Sequence, residues 1–164
     1  MKFISFNHNN TEKFGIIENN LITDLTGKIS DAKSLKELIK IKKINDAKEY
    51  AKNNPGNISP NEIHYSPVIP NPGKIICVGL NYSEHVKETN RTIEENPVIF
   101  HRFPESQTSH LQPIQRPTVS ESLDFEGEMA VIMDEGGKHI KTEDALKHIV
   151  GFSCYNESTV REWQ

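Results

Sequence analysis

Cysteine is scarce in these 164 residues, and positive charge is in deficit. The two cysteines, Cys77 and Cys154, each sit in an apolar, strand-like run, which favours reduced core thiols over a disulfide or a cysteine metal site. Lys and Arg number 19 against 23 Asp and Glu, a net charge of −4, so no basic face invites nucleic acid. No apolar run approaches the length that spans a bilayer. The opening Met1-Lys2-Phe3-Ile4-Ser5-Phe6 lacks the apolar core and small-residue cleavage site of a signal peptide. These absences predict a cytoplasmic protein with neither nucleic-acid nor membrane partners. No internal repeat is visible, and the length suits one domain, or one with a small companion.

Residues 1–65 read as a small lobe. Phe3–Phe6 suits a first strand. Phe14–Ile17 and Leu21–Leu25 flank the turn-like Glu18-Asn19-Asn20 as a hairpin. Ser34 is placed to cap a helix through Ile39, and a Lys-rich helix covers Asp46–Lys52 until Asn53-Asn54-Pro55-Gly56 breaks it. This lobe shows no chemistry of its own. A proline-rich connector, Ser66 to Gly73, leads into the second region, 66–164.

The second region opens on Lys74–Leu80, a continuous apolar run that predicts a strand buried on both faces. Asn81 and Glu84 have capping-box spacing, so a helix is expected directly after it, with His85 and Glu88 on one side at i and i+3. A carboxylate beside an imidazole orients the ring and supports its protonated form, as a general base requires. A surface helical pair with little role has the same spacing. Its position at the end of a buried strand favours a site. Pro97–Phe100 predicts another strand, and His101–Pro113 a long polar loop in which Arg102 either binds a carboxylate or makes an ordinary surface salt bridge.

Leu123–Met133 reads as one strand. Period-two alternation puts Asp124, Glu126 and Glu128 on one face with Ala130 and Ile132. Because both faces turn apolar further along, the carboxylates are expected to point into protein. Neighbouring, partly buried carboxylates repel one another and resist desolvation, and a hard divalent cation removes both penalties. Two Glu at i and i+2 suit one Mg²⁺ or Mn²⁺ that keeps waters for a substrate to displace. A solvated strand face would show the same pattern. Thr142 looks like the N-cap of a short helix through His148. Ile149–Tyr155 reads as a buried strand that delivers Glu157, a third buried-looking carboxylate. A helix from Ser158 would set Arg161 and Gln164 on one face.

Three motifs, in this order, resemble the fumarylacetoacetate hydrolase family: Lys74–Tyr82 with His85 and Glu88, Ser120–Glu128, and Gly151–Gln164. The resemblance implies an α+β fold, a mixed β-roll with a small N-terminal α/β lobe. It implies Glu126, Glu128 and Glu157 as ligands of Mg²⁺ or Mn²⁺, with Glu157 where the family usually carries Asp. It implies His85 and Glu88 as the water-activating pair, and Arg161 and Gln164 as substrate contacts. The implied activity is hydrolysis of a C–C bond in a 2,4-dioxo acid of acylpyruvate type, by a homodimer. Alternatives are isomerisation or decarboxylation of a 2-oxo acid on the same metal site, or a non-catalytic remnant. The family's chain continues past the position of Gln164, with an active-site lysine and the strands that close the roll. Residues 66–164 are therefore expected to be the N-terminal part of a truncated catalytic domain.

Overall fold

The computed structural model describes residues 1–83, 86 and 95–163. They form an α+β fold that packs as two units, one of Met1–Ile69 with Thr108–Gln164 and one of Pro70–Gln107.

The first unit is built on a four-stranded antiparallel sheet of β1 (Lys2–His8), β2 (Thr11–Glu18), β3 (Leu21–Asp24) and β4 (His64–Tyr65), in the order β3-β2-β1-β4. Asn9-Asn10 and Asn19-Asn20 turn its two hairpins, with φ of 53°, 59°, 50° and 60°. Left-handed backbone at both central positions matches the twist of the flanking strands, and Asn tolerates it. The second hairpin was expected. The first carries the same Asn-Asn signal and extends the first strand beyond Phe6.

Alternation sends Phe14 and Ile16 to one face of this sheet, where they meet α1 (Leu35–Lys40) and α2 (Ile44–Asn53) through Leu35, Leu38, Ile39, Ala47 and Ala51. Phe6, Ile22 and Ile63 make a second cluster. Each large side chain fully buried here contributes about 1.5–3 kcal/mol. Ser34 caps α1 as its spacing predicts, accepting from Glu37 N–H at 3.2 Å. Gly15 is required by close approach, because a Cβ there would stand 2.2 Å from the Thr23 carbonyl oxygen. Asp24 receives the Lys13 ammonium at 2.5 Å and the Thr26 N–H at 2.9 Å. Burial alone would raise its pKa, but these hydrogen bonds outweigh burial and hold it below the ordinary 3.8.

The second unit pairs β5 (Ile75–Gly79) with β6 (Val98–Arg102), antiparallel. The expectation of a strand buried on both faces is corrected: Ile76 is 62% exposed and Val78 is also exposed. An apolar run signals a preference for cover without supplying it. His101 and Arg102 belong to β6, so the polar loop begins at Phe103. The Val86 N–H bonds the Tyr82 carbonyl at 3.1 Å, as in a helical turn. Glu84, His85 and Glu88 lie outside the described residues.

The rest of the first unit is a long antiparallel pairing of β7 (Leu123–Asp124) and β8 (Gly127–Met133) with β9 (Ile149–Asn156) and β10 (Thr159–Val160). Leu123–Met133 is therefore two strands and not one. Glu128, Ala130 and Ile132 do share the more buried face, and Ile132 and Val150 pack against the helix-side core. The other face is open: Met129, Val131, Met133, Phe152 and Cys154 are exposed, which corrects both the buried reading of β9 and the core placement of Cys154. Thr142–His148 is a 3-10 turn whose cap position is Lys141, not Thr142. Lys42 reaches Asp134 at 2.9 Å and Glu135 at 3.1 Å, and the hydrogen bonds it donates to both raise its pKa. Among the described residues no helix is long and apolar enough to cross a membrane.

Candidate metal centre

Two strands are interrupted at matching places. Phe125-Glu126 separates β7 from β8, and Glu157-Ser158 separates β9 from β10. Asp124 pairs with Thr159 on one side of the gap, and Gly127 with Asn156 on the other. The register is thus unchanged across the interruption, which sets Glu126 opposite Glu157. The Glu157 N–H donates to the Glu126 carbonyl at 2.9 Å. The Asn156 side chain fills part of the gap, its Oδ1 accepting from the Glu126 N–H at 3.0 Å and from the Ser158 hydroxyl at 3.0 Å.

Opposed positions share a face of a ladder, as do positions two apart. By register Asp124, Glu126 and Glu128 fall on the same face as Glu157. Glu157 is 6% exposed and the Glu126 side chain 19%, whereas Asp124 is about half open to solvent. Arg161 lies on the same edge, its N–H donating to the Ser122 carbonyl at 3.3 Å. Its Nε and Nη2 donate to Asp124 Oδ2 at 3.1 and 2.9 Å, and Nη1 stands 2.8 Å from Glu126 Oε1. Arg161 opens a 3-10 turn, Arg161–Trp163, and not the expected α-helix.

The donor set is all carboxylate oxygen, as a hard divalent cation prefers. Glu126 Oε1 is buried and accepts no hydrogen bond, so a positive charge beside it is what offsets its burial. Among the described residues, however, no three His, Cys, Asp or Glu side chains are gathered so as to hold one ion. Backbone register and donor chemistry fit a cation, while the Glu126 side chain is turned to Arg161.

The structure thus brings Glu126, Glu157 and Arg161 together, with Glu128 two positions along the chain in β8. Arg102, half-buried in β6 opposite Ile75, belongs to the other unit. His85, Glu88 and Gln164 lie outside the described residues. Sequence reasoning gave no role to Asn156, and none to Asp124 as the partner of Arg161. The signal for Asp124 was its place two positions before Glu126.

The family model for the C-terminal region of fumarylacetoacetate hydrolase matches residues 74–164. The mitochondrial oxaloacetate tautomerase fahd2 of Xenopus laevis is 41% identical over 96 residues, 58% of this chain and 30% of that protein. The match therefore spans less than a third of that relative's length. Fumarylacetoacetate hydrolase from the psychrophile Exiguobacterium antarcticum is 28% identical, with a TM-score of 0.81 over 100% of this chain and 58% of its own. Maleylpyruvate hydrolase from Sphingobium sp. SYK-6, solved with manganese(II) and pyruvate, shares the fold at a TM-score of 0.80 and 21% identity, over 98% of this chain and 60% of its own. With more than half of its length matched by the family model, the chain belongs to the fumarylacetoacetate hydrolase family.

Proposed function

We propose that this chain carries the cation-binding face of a Mg²⁺- or Mn²⁺-dependent enzyme acting on small 2-oxo acids. The observation that carries the reading is the unbroken register that sets Glu126 opposite Glu157, with Glu128 two positions on. These three residues would hold the ion, which supplies Lewis acidity toward the carboxylate and 2-oxo oxygens of the substrate.

Keto–enol interconversion is the first reading, supported by the tautomerase that is 41% identical over 96 residues. His85 takes a proton from substrate C3, Glu88 fixes the ring, and the proton is returned at oxygen. Arg161 pairs with a substrate carboxylate, and Gln164 and Arg102 are further substrate contacts. Hydrolysis of a 2,4-dioxo acid is the second reading, supported by the spacing of His85 and Glu88. There His85 takes its proton from water, hydroxide adds to the distal carbonyl, the C–C bond breaks, and His85 protonates C3. Product analysis separates the two. Loss of the enol signal of oxaloacetate without cleavage marks tautomerisation, and two acids from an acylpyruvate mark hydrolysis. Release of carbon dioxide would replace both with decarboxylation.

Glu126→Ala is expected to abolish Mg²⁺ binding, whereas His85→Ala keeps the ion and loses turnover. Full activity in the His85→Ala protein would overturn the base assignment. A homodimer, and a division near residue 65 between a small lobe and the catalytic region, complete the proposal. A cytoplasmic setting belongs to the same proposal. Recovery of the protein from mitochondria, the compartment of the Xenopus relative, would overturn that setting.

A further inference from the structure

We propose that Arg161 competes with the divalent cation for Glu126, and that Asp124 is the positioning residue about which the guanidinium pivots when the cation wins. This rests on the reading of Glu126, Glu128 and Glu157 as cation ligands. The guanidinium reaches two acids. Nε and Nη2 both donate to Asp124 Oδ2, at 3.1 and 2.9 Å, while Nη1 lies 2.8 Å from Glu126 Oε1. Asp124 is itself fixed, because its Oδ1 accepts the Phe125 N–H at 2.9 Å.

The two contacts differ in kind. Those to Asp124 are aligned hydrogen bonds. Glu126 Oε1 is buried and accepts none, so Nη1 meets it as charge alone. A carboxylate oxygen withdrawn from water without an aligned donor is unfavourable, and a neighbouring positive charge offsets this. A dication on the same oxygen supplies more charge and repels Nη1, so the two cannot both hold Oε1. Asp124, half open to solvent, retains the Nε–Nη2 edge. The guanidinium therefore stays at the site and presents Nη1 to an anionic group of the substrate.

The test is Mn²⁺ binding to the full chain without substrate, by calorimetry and by the magnetic-resonance signal of free Mn²⁺. Removing the competitor in Arg161→Gln should tighten Mn²⁺ binding about fivefold or more, and Arg161→Lys, which keeps the charge, should stay within about twofold of the parent. If the parent binds Mn²⁺ and Arg161→Gln binds it no tighter, the competition is overturned and the ligand reading stands. If neither binds Mn²⁺, the ligand reading falls and the competition with it. Should Arg161→Gln fail to fold, Asp124→Asn decides. Releasing the guanidinium from Asp124 toward Glu126 should weaken Mn²⁺ binding more than the charge-matched change Glu121→Gln at an exposed acid, and an equal or smaller effect overturns the proposal.

Discussion

The four-stranded sheet and the β8–β9 ladder obey the same alternation but are finished differently. In the sheet, one face is closed by α1 and α2, and Phe6, Ile22 and Ile63 form a separate buried cluster. In the ladder, Ile132 and Val150 reach the helix-side core, while Met129, Val131 and Phe152 lie open. The sheet holds no candidate chemistry and most of the fully buried side chains. The ladder holds the acids, the arginine and a break in its own hydrogen bonding. Cohesion and chemistry are thus assigned to different strands of one packing unit.

Substitutions can break that contrast, beginning with the core. Leu38→Ala, at a fully buried position, should lower the unfolding free energy by about 2–5 kcal/mol in denaturant titration. A loss below about 1 kcal/mol would mean that the helix layer is not what closes the sheet. Asp24→Asn comes next. The folded-state pKa of Asp24 is lowered, so its contribution is fully present above the ordinary value of 3.8 and is lost as pH falls through the folded value. The variant should lose about 1 kcal/mol near neutrality, discounted for partial exposure, and show a flatter acid limb in unfolding measured from pH 7 to pH 2. Met129→Gln, on the open face, should change stability by less than about 0.5 kcal/mol. A loss as large as that of Leu38→Ala would show that this face is covered in solution, and the contrast would disappear.

Local chemistry made half of this legible in the sequence. The Ser34 cap, the Asn19-Asn20 turn and the end of α2 before Pro55 are each decided by a few adjacent residues, and each stands where the pattern put it. The acid face was legible for the same reason, since period two needs no partner strand. What adjacent residues cannot carry is pairing. The break at Phe125-Glu126 exists because the opposite strand breaks at Glu157-Ser158, and nothing within Leu123–Met133 announces it. Burial was misjudged in the same way at Ile76, Val78 and Phe152, where apolar character states what a side chain favours and not what lies over it. Arg161 was placed on a helix because its i+3 neighbour suited one. Its actual position follows from the Ser122 carbonyl, almost forty residues upstream.

The matched interruption also restricts how the protein can vary. Phe125 and Ser158 can change, because the strands rejoin on the far side in the original frame. An insertion or deletion of one residue at Phe125 or Ser158 would put the acids on the two sides out of step and turn one set outward. Relatives should therefore tolerate different residues at Phe125 and Ser158 far more readily than different lengths of these two short segments.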